Sequence, residues 1–339
     1  MELSERMIVS IPKANLSPPF NITRCSHAEW GVTDLDYARD FYINLLGYIC
    51  EDDFGETIYL RGMEERNHHS LILTKANKPV VFRLAFKVAE ESDLDQAAAF
   101  YNSIGCKTLF VEKYAQGRTL HVSDPFDIPL EFYCEMEHRE LLLQQYDRYR
   151  GAHIQRIDHF NLFSNNVNAM TSFYVESLGF RPTEVTMTDS SDDNSDLWAS
   201  WIQRRGGVHD IAFTNGLGPR LHHIGVYVPT AMDIIHFCDR LASSEHHDAF
   251  ERGPGRHGIS NAFFLYLIDR DGHRIELFTG DYVTVDLDHP TRKWDLNDNR
   301  RQTLWGQAAP KSWFEQGMCF NGITPLKTEL RAAPIVAPE

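Results

Sequence analysis

The sequence has few features of a membrane-bound or secreted protein. In a chain of 339 residues, the apolar run AFFLYLI is too short to span a bilayer. The opening MELSERMIVSIPK carries two early glutamates and no long apolar segment, so it does not read as a secretory signal. The six cysteines are scattered and form no C-x-x-C pair, which favours reduced thiols over a disulfide framework. We therefore predict a cytoplasmic protein without a membrane segment.

Positive charge is also scarce. Lysine and arginine total 33 against 48 aspartates and glutamates, which gives a formal net charge of -15 and a pI near 5.5. This balance leaves no broad basic surface for a phosphate backbone, so nucleic acid is not an expected partner. With 42% hydrophobic residues the chain can bury a sizeable core, and its length allows two domains. Small molecules are the expected substrates.

What the sequence does contain is an internal repeat. Residues 24–48 (RCSHAEWGVTDLDYARDFYINLLGY) align without a gap with residues 156–180 (RIDHFNLFSNNVNAMTSFYVESLGF). Each copy is typical of a strand, a polar turn and an amphipathic helix that ends at Leu-Gly, where glycine suits a helix C-cap. A fainter repeat relates residues 83–106 to residues 223–244, and a further strand follows each. The pattern predicts an α+β fold of four βαβββ modules, produced by duplication rather than by a solenoid.

The modules pair into two predicted domains and a tail. The polar stretch QQYDRYRGAH, residues 144–153, separates the two halves of the repeat. We expect an N-terminal domain at 1–150, a C-terminal domain at 151–285 and a lid or interface tail at 286–339.

Candidate metal ligands recur at equivalent positions of the modules. His159 and Asn161 project from one face of a predicted strand, because alternate side chains of a strand point to opposite sides. A lone histidine there is more often a core residue bonded to a backbone carbonyl. In the next module, however, alignment of the first strands puts His223 rather than His222 in the same inward position, and the closing strand carries Glu276.

Two imidazoles and one carboxylate suit a divalent metal. Such a set can bind one face of Fe(II) or Mn(II) and leave open positions for a substrate and dioxygen. The N-terminal half holds His27, Arg83 and Glu131 at the same positions, and a guanidinium cannot serve as a ligand. We therefore expect metal only in the C-terminal half, with the N-terminal half as scaffold and Glu131 paired to Arg83. The doublets His68-His69 and His246-His247 match no ligand position, and we predict them on the surface.

The modules and ligand positions resemble the vicinal oxygen chelate superfamily. The run of motifs resembles the type I extradiol catechol dioxygenases, most closely those that cleave 3,4-dihydroxyphenylacetate. The resemblance covers nearly the whole chain to Phe314, and its most specific stretches are RIDHFN, WIQRRGGVHD, NGLGPRLHH, ERGPGRHGISNAFFLYL and DGHRIELFTGDY. RLHH or HRIEL alone would be a weak signal. The resemblance implies two vicinal oxygen chelate domains and a metal site formed by His159, His223 and Glu276.

The resemblance also implies an activity. A catechol and dioxygen would be the substrates, Fe(II) or alternatively Mn(II) the cofactor, and a muconic semialdehyde the product of ring cleavage beside the diol. His209 matches the family's acid and base, and an unperturbed histidine pKa of about 6.5 suits proton transfer near neutrality. Tyr266 and Asn161 match residues that hydrogen-bond the substrate or oxygen, although Tyr266 also fits a plain core strand. A homotetramer is the implied assembly.

The resemblance also implies a separate group of residues that determine substrate specificity. Trp201, Arg252 and His257 match positions that enclose the ring and its polar side chain, and Arg301 matches an arginine of the family's closing tail. An arginine fork can donate two parallel hydrogen bonds to a carboxylate. Gln302 stands where the family tends to have a second arginine, which leaves another substituted catechol as an alternative substrate.

Two further classes of function remain open at this point. One is metal-dependent isomerisation or glyoxalase-type chemistry, and the other is sequestration of a small aromatic compound. Bound Fe or Mn with catechol-dependent oxygen uptake would indicate the dioxygenase. Zn or Ni without oxygen uptake would indicate the isomerase, and absence of metal would indicate sequestration.

Overall fold

Two β-sheets organise the protein, one in each half of the internal repeat. The computed structural model describes residues 11–329. Most of the opening stretch MELSERMIVSIPK, with its predicted lack of a signal, therefore lies outside the described residues. Among the described helices, none has the length and apolar character needed to cross a membrane.

The first sheet has eight strands in the order β2-β3-β4-β1-β5-β8-β7-β6. Their bounds are β1 (Ile22–Val32), β2 (Ile49–Asp53), β3 (Thr57–Arg61), β4 (Leu71–Lys75), β5 (Val80–Val88), β6 (Thr108–Lys113), β7 (Gly117–Ser123) and β8 (Pro129–Tyr133). The centre of the sheet is β1 paired antiparallel to β5, and each of these strands pairs in parallel with the last strand of its own module.

The second sheet has eleven strands, in the order β17-β10-β11-β12-β9-β13-β16-β15-β14-β18, with β19 paired to β13. Their bounds are β9 (Arg156–Ser164), β10 (Arg181–Met187), β11 (Leu197–Gln203), β12 (Ile211–Asn215), β13 (Arg220–Tyr227), β14 (Phe250–Arg256), β15 (Phe263–Ile268), β16 (Arg274–Thr279), β17 (Arg292–Asp295), β18 (Trp305–Gly306) and β19 (Met318–Cys319). The pairings of β9, β12, β13 and β16 repeat those of β1, β4, β5 and β8.

One helix follows the first strand of every module, and a fifth lies in the tail. The helices are α1 (Leu35–Ala38), α2 (Glu91–Ser103), α3 (Val167–Ser172), α4 (Ala231–Ala242) and α5 (Lys311–Glu315). π-helical segments (Arg39–Leu45 and Phe173–Ser177) continue α1 and α3, and short 3₁₀ turns occupy Tyr146–Arg148, His247–Ala249, Ile259–Asn261 and Asn299–Arg301. Side-chain caps begin the module helices, such as Asp34 for α1 and Thr230 for α4. The predicted α+β fold of four βαβββ modules is confirmed.

The strand registers of the two halves coincide at the ligand positions. In the first sheet Ala85 of β5 pairs with His27 of β1 on one side and Glu131 of β8 on the other. In the second sheet Gly225 of β13 pairs in the same way with His159 and Glu276. The backbone alone therefore brings a histidine and a glutamate together in both halves.

Reciprocal hydrogen bonds join the two halves. The hydroxyl of Tyr42 donates to Asp269 Oδ2 at 2.8 Å, and the hydroxyl of Tyr174, its counterpart in the repeat, donates to Asp124 Oδ2 at 2.9 Å. The other oxygen of each aspartate accepts two backbone N–H groups of its own turn. An aspartate of each half thus accepts a hydrogen bond from the helical segment of the other half. Buried side chains of both halves also form one continuous hydrophobic core.

The glycine that ends the first helical segment has a positive φ and a close neighbour. Gly47 has φ +86°, as predicted for a C-cap, and a Cβ built there would lie 2.2 Å from the carbonyl oxygen of Arg150. Gly55 has a similar φ of +82° but has no atom within 4 Å of such a Cβ. The two glycines therefore have nearly the same backbone conformation, but only Gly55 has room for a side chain.

We expect Gly47→Ala to destabilise the protein far more than Gly55→Ala. The positive φ alone should lower the free energy of unfolding by about 1 kcal/mol in Gly55→Ala. The additional backbone clash should bring the loss in Gly47→Ala to about 3 kcal/mol or more. Equilibrium urea denaturation of both variants measures the difference, and equal losses would contradict the close approach to Arg150.

The C-terminal tail is part of the second sheet. β17 extends the sheet beside β10, and β19 pairs with β13 through Arg220 and Leu221. The carbonyl oxygens of Trp313 and Glu315 in α5 also accept hydrogen bonds from His222 and Arg220, so the tail is bonded to β13, the strand that carries His223.

Candidate active site

Three ligand-type side chains converge at the centre of the second sheet. His159 Nε2 lies 3.0 Å and His223 Nε2 lies 3.1 Å from Glu276 Oε2, and the two nitrogens are 3.2 Å apart. All three side chains are buried. Within residues 11–329, this is the one group of three or more histidine, cysteine, aspartate or glutamate side chains whose ligand atoms all lie within 4.8 Å.

The chemistry of the three side chains fits a divalent metal. Glu276 Oε1 is buried, and His257 Nε2 lies 3.3 Å from it. Although burial opposes its ionisation, hydrogen bonds from His159 and His223 keep the pKa of Glu276 well below its usual value. Two imidazole nitrogens and one carboxylate oxygen at such short separations match the donor set of iron and manganese sites.

A glycine that the motif analysis did not single out makes room for His159. A Cβ at Gly225 would lie 2.1 Å from His159 Cε1. The imidazole of His159 therefore packs against the bare backbone of β13. The register of the repeat could have identified this position, because Gly225 is the residue between the two ligands.

Each histidine of the cluster is oriented by its sequence neighbour. Asp158 Oδ2 lies 3.0 Å from His159 Nδ1, and Arg205 Nη2 lies 2.9 Å from the other oxygen of Asp158. His222 Nδ1 lies 2.5 Å from His223 Nδ1, and His222 Nε2 donates to the carbonyl oxygen of Trp313 at 2.7 Å. Partners of this kind fix the ring orientation of metal-binding histidines. The motif analysis missed these roles, although RIDHF and RLHH contain both neighbours.

His209 lies against the cluster. Its ring centroid is 4.0 Å from that of His159, and its Nδ1 is buried without a hydrogen-bond partner among the described residues. Burial lowers the pKa of His209 well below its ordinary value, and the nearby His159 adds to the effect. The imidazole of His209 is therefore neutral near pH 7. The sequence led us to expect a pKa near neutrality, and the structure lowers the pKa further.

Tyr266 and Asn161 face the same space. Tyr266 lies beside Glu276 in the register of β15 and β16, and its hydroxyl is 3.1 Å from His257 Nε2. Burial and the charge of Glu276 raise the pKa of Tyr266 well above its usual value, so the phenol remains a donor. Asn161 Oδ1 accepts a hydrogen bond of 3.1 Å from Thr214. Both side chains line the cavity that contains the three-ligand cluster.

One cavity brings together nearly all of the predicted site residues. Its lining includes His159, Asn161, Trp201, His209, His223, His257, Tyr266, Glu276 and Arg301. The tail contributes Gln302 and Trp313 to the same lining, together with Trp198 of β11. Of the predicted residues, Arg252 alone is not part of the lining.

Arg252 lies behind the cavity wall. Its side chain is fully buried, and its Nη2 donates to the Gln302 carbonyl oxygen at 3.0 Å and to Thr303 Oγ1 at 2.7 Å. Its Nε and Nη1 have no hydrogen-bond partner among the described residues. The guanidinium packs against the rings of Phe264 and Trp313. The position of this arginine depends on register shifts in β14.

Arg301 places a buried guanidinium in the lining of the cavity. Burial lowers its pKa to about 10, and the charge of Arg252 acts in the same direction. Burial likewise lowers the pKa of Arg252 to about 10. Both groups therefore stay protonated near neutral pH, and a nearby anion would reduce the cost of burying their charges.

The predictions for three of the doublet histidines and for Glu131 are wrong. His68, His69 and His246 are buried, whereas His247 is exposed as predicted. His68 Nε2 lies 2.8 Å from Asp52, and His246 Nε2 lies 2.8 Å from Asp40. The close partners of Glu131 are His27, Lys113, His121 and Gln116 rather than Arg83.

Comparison with known proteins agrees with the geometry of the site. Residues 156–277 match the glyoxalase/bleomycin resistance protein/dioxygenase superfamily. The structure of homoprotocatechuate 2,3-dioxygenase from Brevibacterium fuscum, in an anaerobic complex with 3,4-dihydroxyphenylacetate, is similar with a TM-score of 0.85 and 41% identity. That similarity covers 91% of this chain and 96% of the other.

Two further relatives are similar over most of their length. Native homoprotocatechuate 2,3-dioxygenase from Arthrobacter globiformis matches with a TM-score of 0.87 and 38% identity, over 94% of this chain and 98% of the other. A manganese-dependent 2,3-dihydroxybiphenyl 1,2-dioxygenase of Geobacillus genomosp. 3 is 29% identical over 300 residues, which are 84% of this chain and 93% of that relative.

Proposed function

Because the chain belongs to the extradiol ring-cleaving catechol dioxygenases of the glyoxalase/bleomycin resistance protein/dioxygenase superfamily, we propose that its substrate is 3,4-dihydroxyphenylacetate. The resemblance to this family in the motifs is thereby confirmed. Cleavage beside the diol, with dioxygen as co-substrate, would give a muconic semialdehyde. The observation that carries the proposal is a single cavity that combines the three-ligand cluster, a neutral histidine and a buried arginine.

His159, His223 and Glu276 would hold the metal. A divalent iron or manganese ion bound there supplies an acidic centre for the two vicinal oxygens of a catechol and for dioxygen. Both metals fit the same donor set, and one relative of the chain is manganese-dependent by name. We propose Fe(II), with Mn(II) as the alternative.

The other residues of the cavity would bind the substrate and move its protons. His209 is held as a neutral imidazole, so it can accept a proton from a catechol hydroxyl and return it when the ring opens. Tyr266 remains protonated and can donate a hydrogen bond to the substrate or to oxygen. Asn161 is placed to do the same from β9. Trp201 and His257 supply flat surfaces against which an aromatic ring can stack.

The acid side chain of the substrate would lie near the two buried arginines. Arg301 lines the cavity, whereas Arg252 lies just behind it with Nε and Nη1 available. An isolated buried cation is costly, and a bound carboxylate would satisfy both guanidinium groups. Gln302 of this chain stands where the family tends to have a second arginine in the tail, so we expect weaker selectivity for acids than in relatives with that second arginine.

We expect Arg252→Met to reduce the preference for 3,4-dihydroxyphenylacetate over 4-methylcatechol. Methionine keeps most of the side-chain volume between the aromatic rings and removes the charge. Loss of one charge-assisted hydrogen bond should reduce the ratio of the two kcat/KM values about ten- to a hundredfold. Steady-state kinetics with both catechols measure this ratio.

Arg300→Met is the matched control for that variant. Arg300 is exposed and pairs with Asp298 on the tail, so its loss should leave the ratio unchanged. Equal kcat/KM values for the two catechols in the unmodified protein would rule out a carboxylate site at these arginines.

The direct test of the proposed function is an anaerobic binding screen. The protein is reconstituted with Fe(II) or Mn(II), substituted catechols are added without oxygen, and oxygen is then admitted while product spectra are recorded. We expect catechol-dependent oxygen uptake and the absorbance of a ring-cleaved semialdehyde. Absence of uptake with every catechol and both metals would refute the proposal.

We also propose a cytoplasmic homotetramer with domains at 1–150, 151–285 and 286–339. The six cysteines are free, as in reducing compartments. Exposed apolar side chains on the edge strand β6, Leu109 and Phe110, and on the loop before β17, Val285 and Leu287, offer surfaces for subunit contacts. Sedimentation of the protein at several concentrations tests the assembly.

A further inference from the structure

A buried glutamate of β10 lies next to the wall of the active-site cavity. The side chain of Glu184 has no exposed surface. In the sheet, Glu184 pairs with Trp201 of β11 on one side and with Arg292 of β17 on the other. Directly paired residues point to the same face of a sheet, so the carboxylate lies on the face that carries the cavity-lining ring of Trp201.

Three hydrogen-bond donors from distant parts of the chain converge on Glu184. The backbone N–H of Ser260 and the hydroxyl of Tyr282 donate to Oε1 at 2.6 and 2.8 Å. The indole N–H of Trp294 donates to Oε2. All three donors are neutral, and burial raises the pKa of Glu184 above its usual value in spite of these bonds. The carboxylate therefore links the turn before β15, the segment after β16 and strand β17.

The turn bonded to Glu184 has a backbone conformation that favours glycine. Ser260 and Asn261 both have a φ of +58°. Asparagine tolerates this left-handed region, whereas serine is disfavoured there. Such a conformation persists only where the surrounding structure holds it. The hydrogen bond from the backbone of Ser260 to the buried carboxylate is one such constraint.

Side chains of this turn form part of the cavity wall. Ile259 and Ser260 both line the cavity. Ile259 also packs in a small hydrophobic cluster that includes the rings of Trp201 and Trp294. Glu184 thus bonds both to the turn and to one of the rings that pack in the same cluster.

The same turn contacts the tail segment that carries Arg301. The backbone N–H of Gly258 donates to the carbonyl oxygen of Arg300 at 3.1 Å. A Cβ at Gly258 would lie 2.3 Å from that oxygen, so the two backbones approach closely only because this residue is glycine. Arg301, the next residue of the tail, lines the cavity. A displaced turn would therefore change the position of its guanidinium.

We infer that Glu184 is a positioning residue for substrate recognition, which holds the Ile259–Asn261 turn and, through it, the cavity wall and Arg301. The inference rests on the proposed function, because it concerns contacts with a substituted catechol. Glu184 is not among the residues that line the cavity. Its three donors are also distinct from the three-ligand cluster and from His209. Loss of its carboxylate should weaken substrate binding and leave metal binding and the chemical step in place.

The first test is steady-state kinetics of Glu184→Met in metal-loaded protein. Methionine keeps most of the side-chain volume but is only a weak acceptor, so all three donors lose their partner. KM for 3,4-dihydroxyphenylacetate should rise about tenfold, whereas kcat should change by less than about threefold. For 4-methylcatechol, which has no carboxylate to meet Arg301, KM should rise only about threefold. Metal content should stay the same.

Two further variants separate positioning from a general loss of stability. Glu184→Gln keeps one acceptor oxygen, so its KM should lie between those of Glu184→Met and the unmodified protein. Ser260→Gly added to Glu184→Met removes the steric cost of the positive φ. KM of this double variant should be about three- to fivefold lower than that of Glu184→Met alone.

Asp124→Asn is the matched control for Glu184→Gln. Asp124 is also buried, and it also accepts hydrogen bonds from neutral donors, two backbone N–H groups and the hydroxyl of Tyr174. It lies in the N-terminal half, away from the cavity. Asp124→Asn should therefore leave KM for both catechols unchanged.

Hydrogen exchange gives a measurement that needs no substrate. Backbone N–H groups of residues 257–262 should exchange about tenfold faster in Glu184→Met, because the N–H of Ser260 loses its acceptor. Exchange in β9, which carries His159, should be unchanged. If the unmodified protein cleaved no catechol, the proposed function would fail, and exchange at residues 257–262 would still decide whether Glu184 holds the turn.

An unchanged KM for 3,4-dihydroxyphenylacetate in folded Glu184→Met would overturn the inference, and so would unchanged exchange at residues 257–262. If Glu184→Met could not be recovered in folded form, the same two measurements on Glu184→Gln and Tyr282→Phe would decide. Tyr282→Phe removes one donor and keeps the ring. An unchanged KM in both of these variants would likewise overturn the inference.

Discussion

Glu276→Ala should lose bound metal and ring-cleaving activity together, and so should His159→Ala and His223→Ala. Each variant removes one of the three proposed protein ligands, whose nearest atoms lie 3.0 to 3.2 Å apart. Loss of any ligand should therefore reduce activity to the background of the assay. Metal analysis of the purified protein and oxygen uptake with catechol measure the two effects.

The internal repeat supplies the matched control. His27 lies at the position of His159 in the other half and has the same burial and the same kind of glutamate neighbour. His27→Ala should therefore keep the metal content and activity of the unmodified protein per folded chain. Full metal occupancy in Glu276→Ala, or loss of metal in His27→Ala, would show that the ligands have been assigned wrongly.

His209→Asn should keep its metal and its affinity for catechol but turn over slowly. The imidazole lies on the cluster without belonging to it, at 4.0 Å between ring centroids from His159. Its removal should take away proton transfer and leave coordination intact. General acid-base groups contribute about 10²–10⁴-fold, so kcat should fall by that factor, and part of the oxygen consumed should appear as peroxide.

His246→Asn is the corresponding control, because His246 pairs with Asp40 and does not line the cavity. It should leave turnover unchanged. The measurement is kcat over a wide pH range together with a peroxide assay at one oxygen concentration. If His209→Asn turned over as fast as the unmodified protein at every pH, His209 would not be the proton-transfer group.

The sequence predicted the modules and the three-ligand cluster because both follow from backbone register. A repeat with a fixed strand order sets which residues are opposite one another, so His159, His223 and Glu276 could be found by comparing equivalent positions. No side-chain packing was needed for that step. The glycine C-cap at Gly47 followed in the same way from local conformation.

Features that depend on packing between elements were not predicted. Glu131 was expected to pair with Arg83, but the hairpin of β6 and β7 brings Lys113 and His121 to it instead. His68 and His69 are buried, and the backbone N–H of His68 donates to the carbonyl oxygen of Glu137, a contact between distant parts of the chain that no local pattern reveals. Register shifts in β14 put Arg252 behind the cavity, and bulges of this kind cannot be read from a single sequence.

The exchanged tyrosine–aspartate bonds have a consequence for the origin of the chain. Tyr42 reaches Asp269 while Tyr174 reaches Asp124, so the contact surface of each half is the same patch used twice. That is the geometry of an isologous interface, the kind found in twofold-symmetric dimers. Fusion of two identical half-length subunits would produce such a chain, and the covalent link would preserve the contact of the former dimer. One half could then replace a metal ligand by Arg83, while the other half retained the three-ligand cluster.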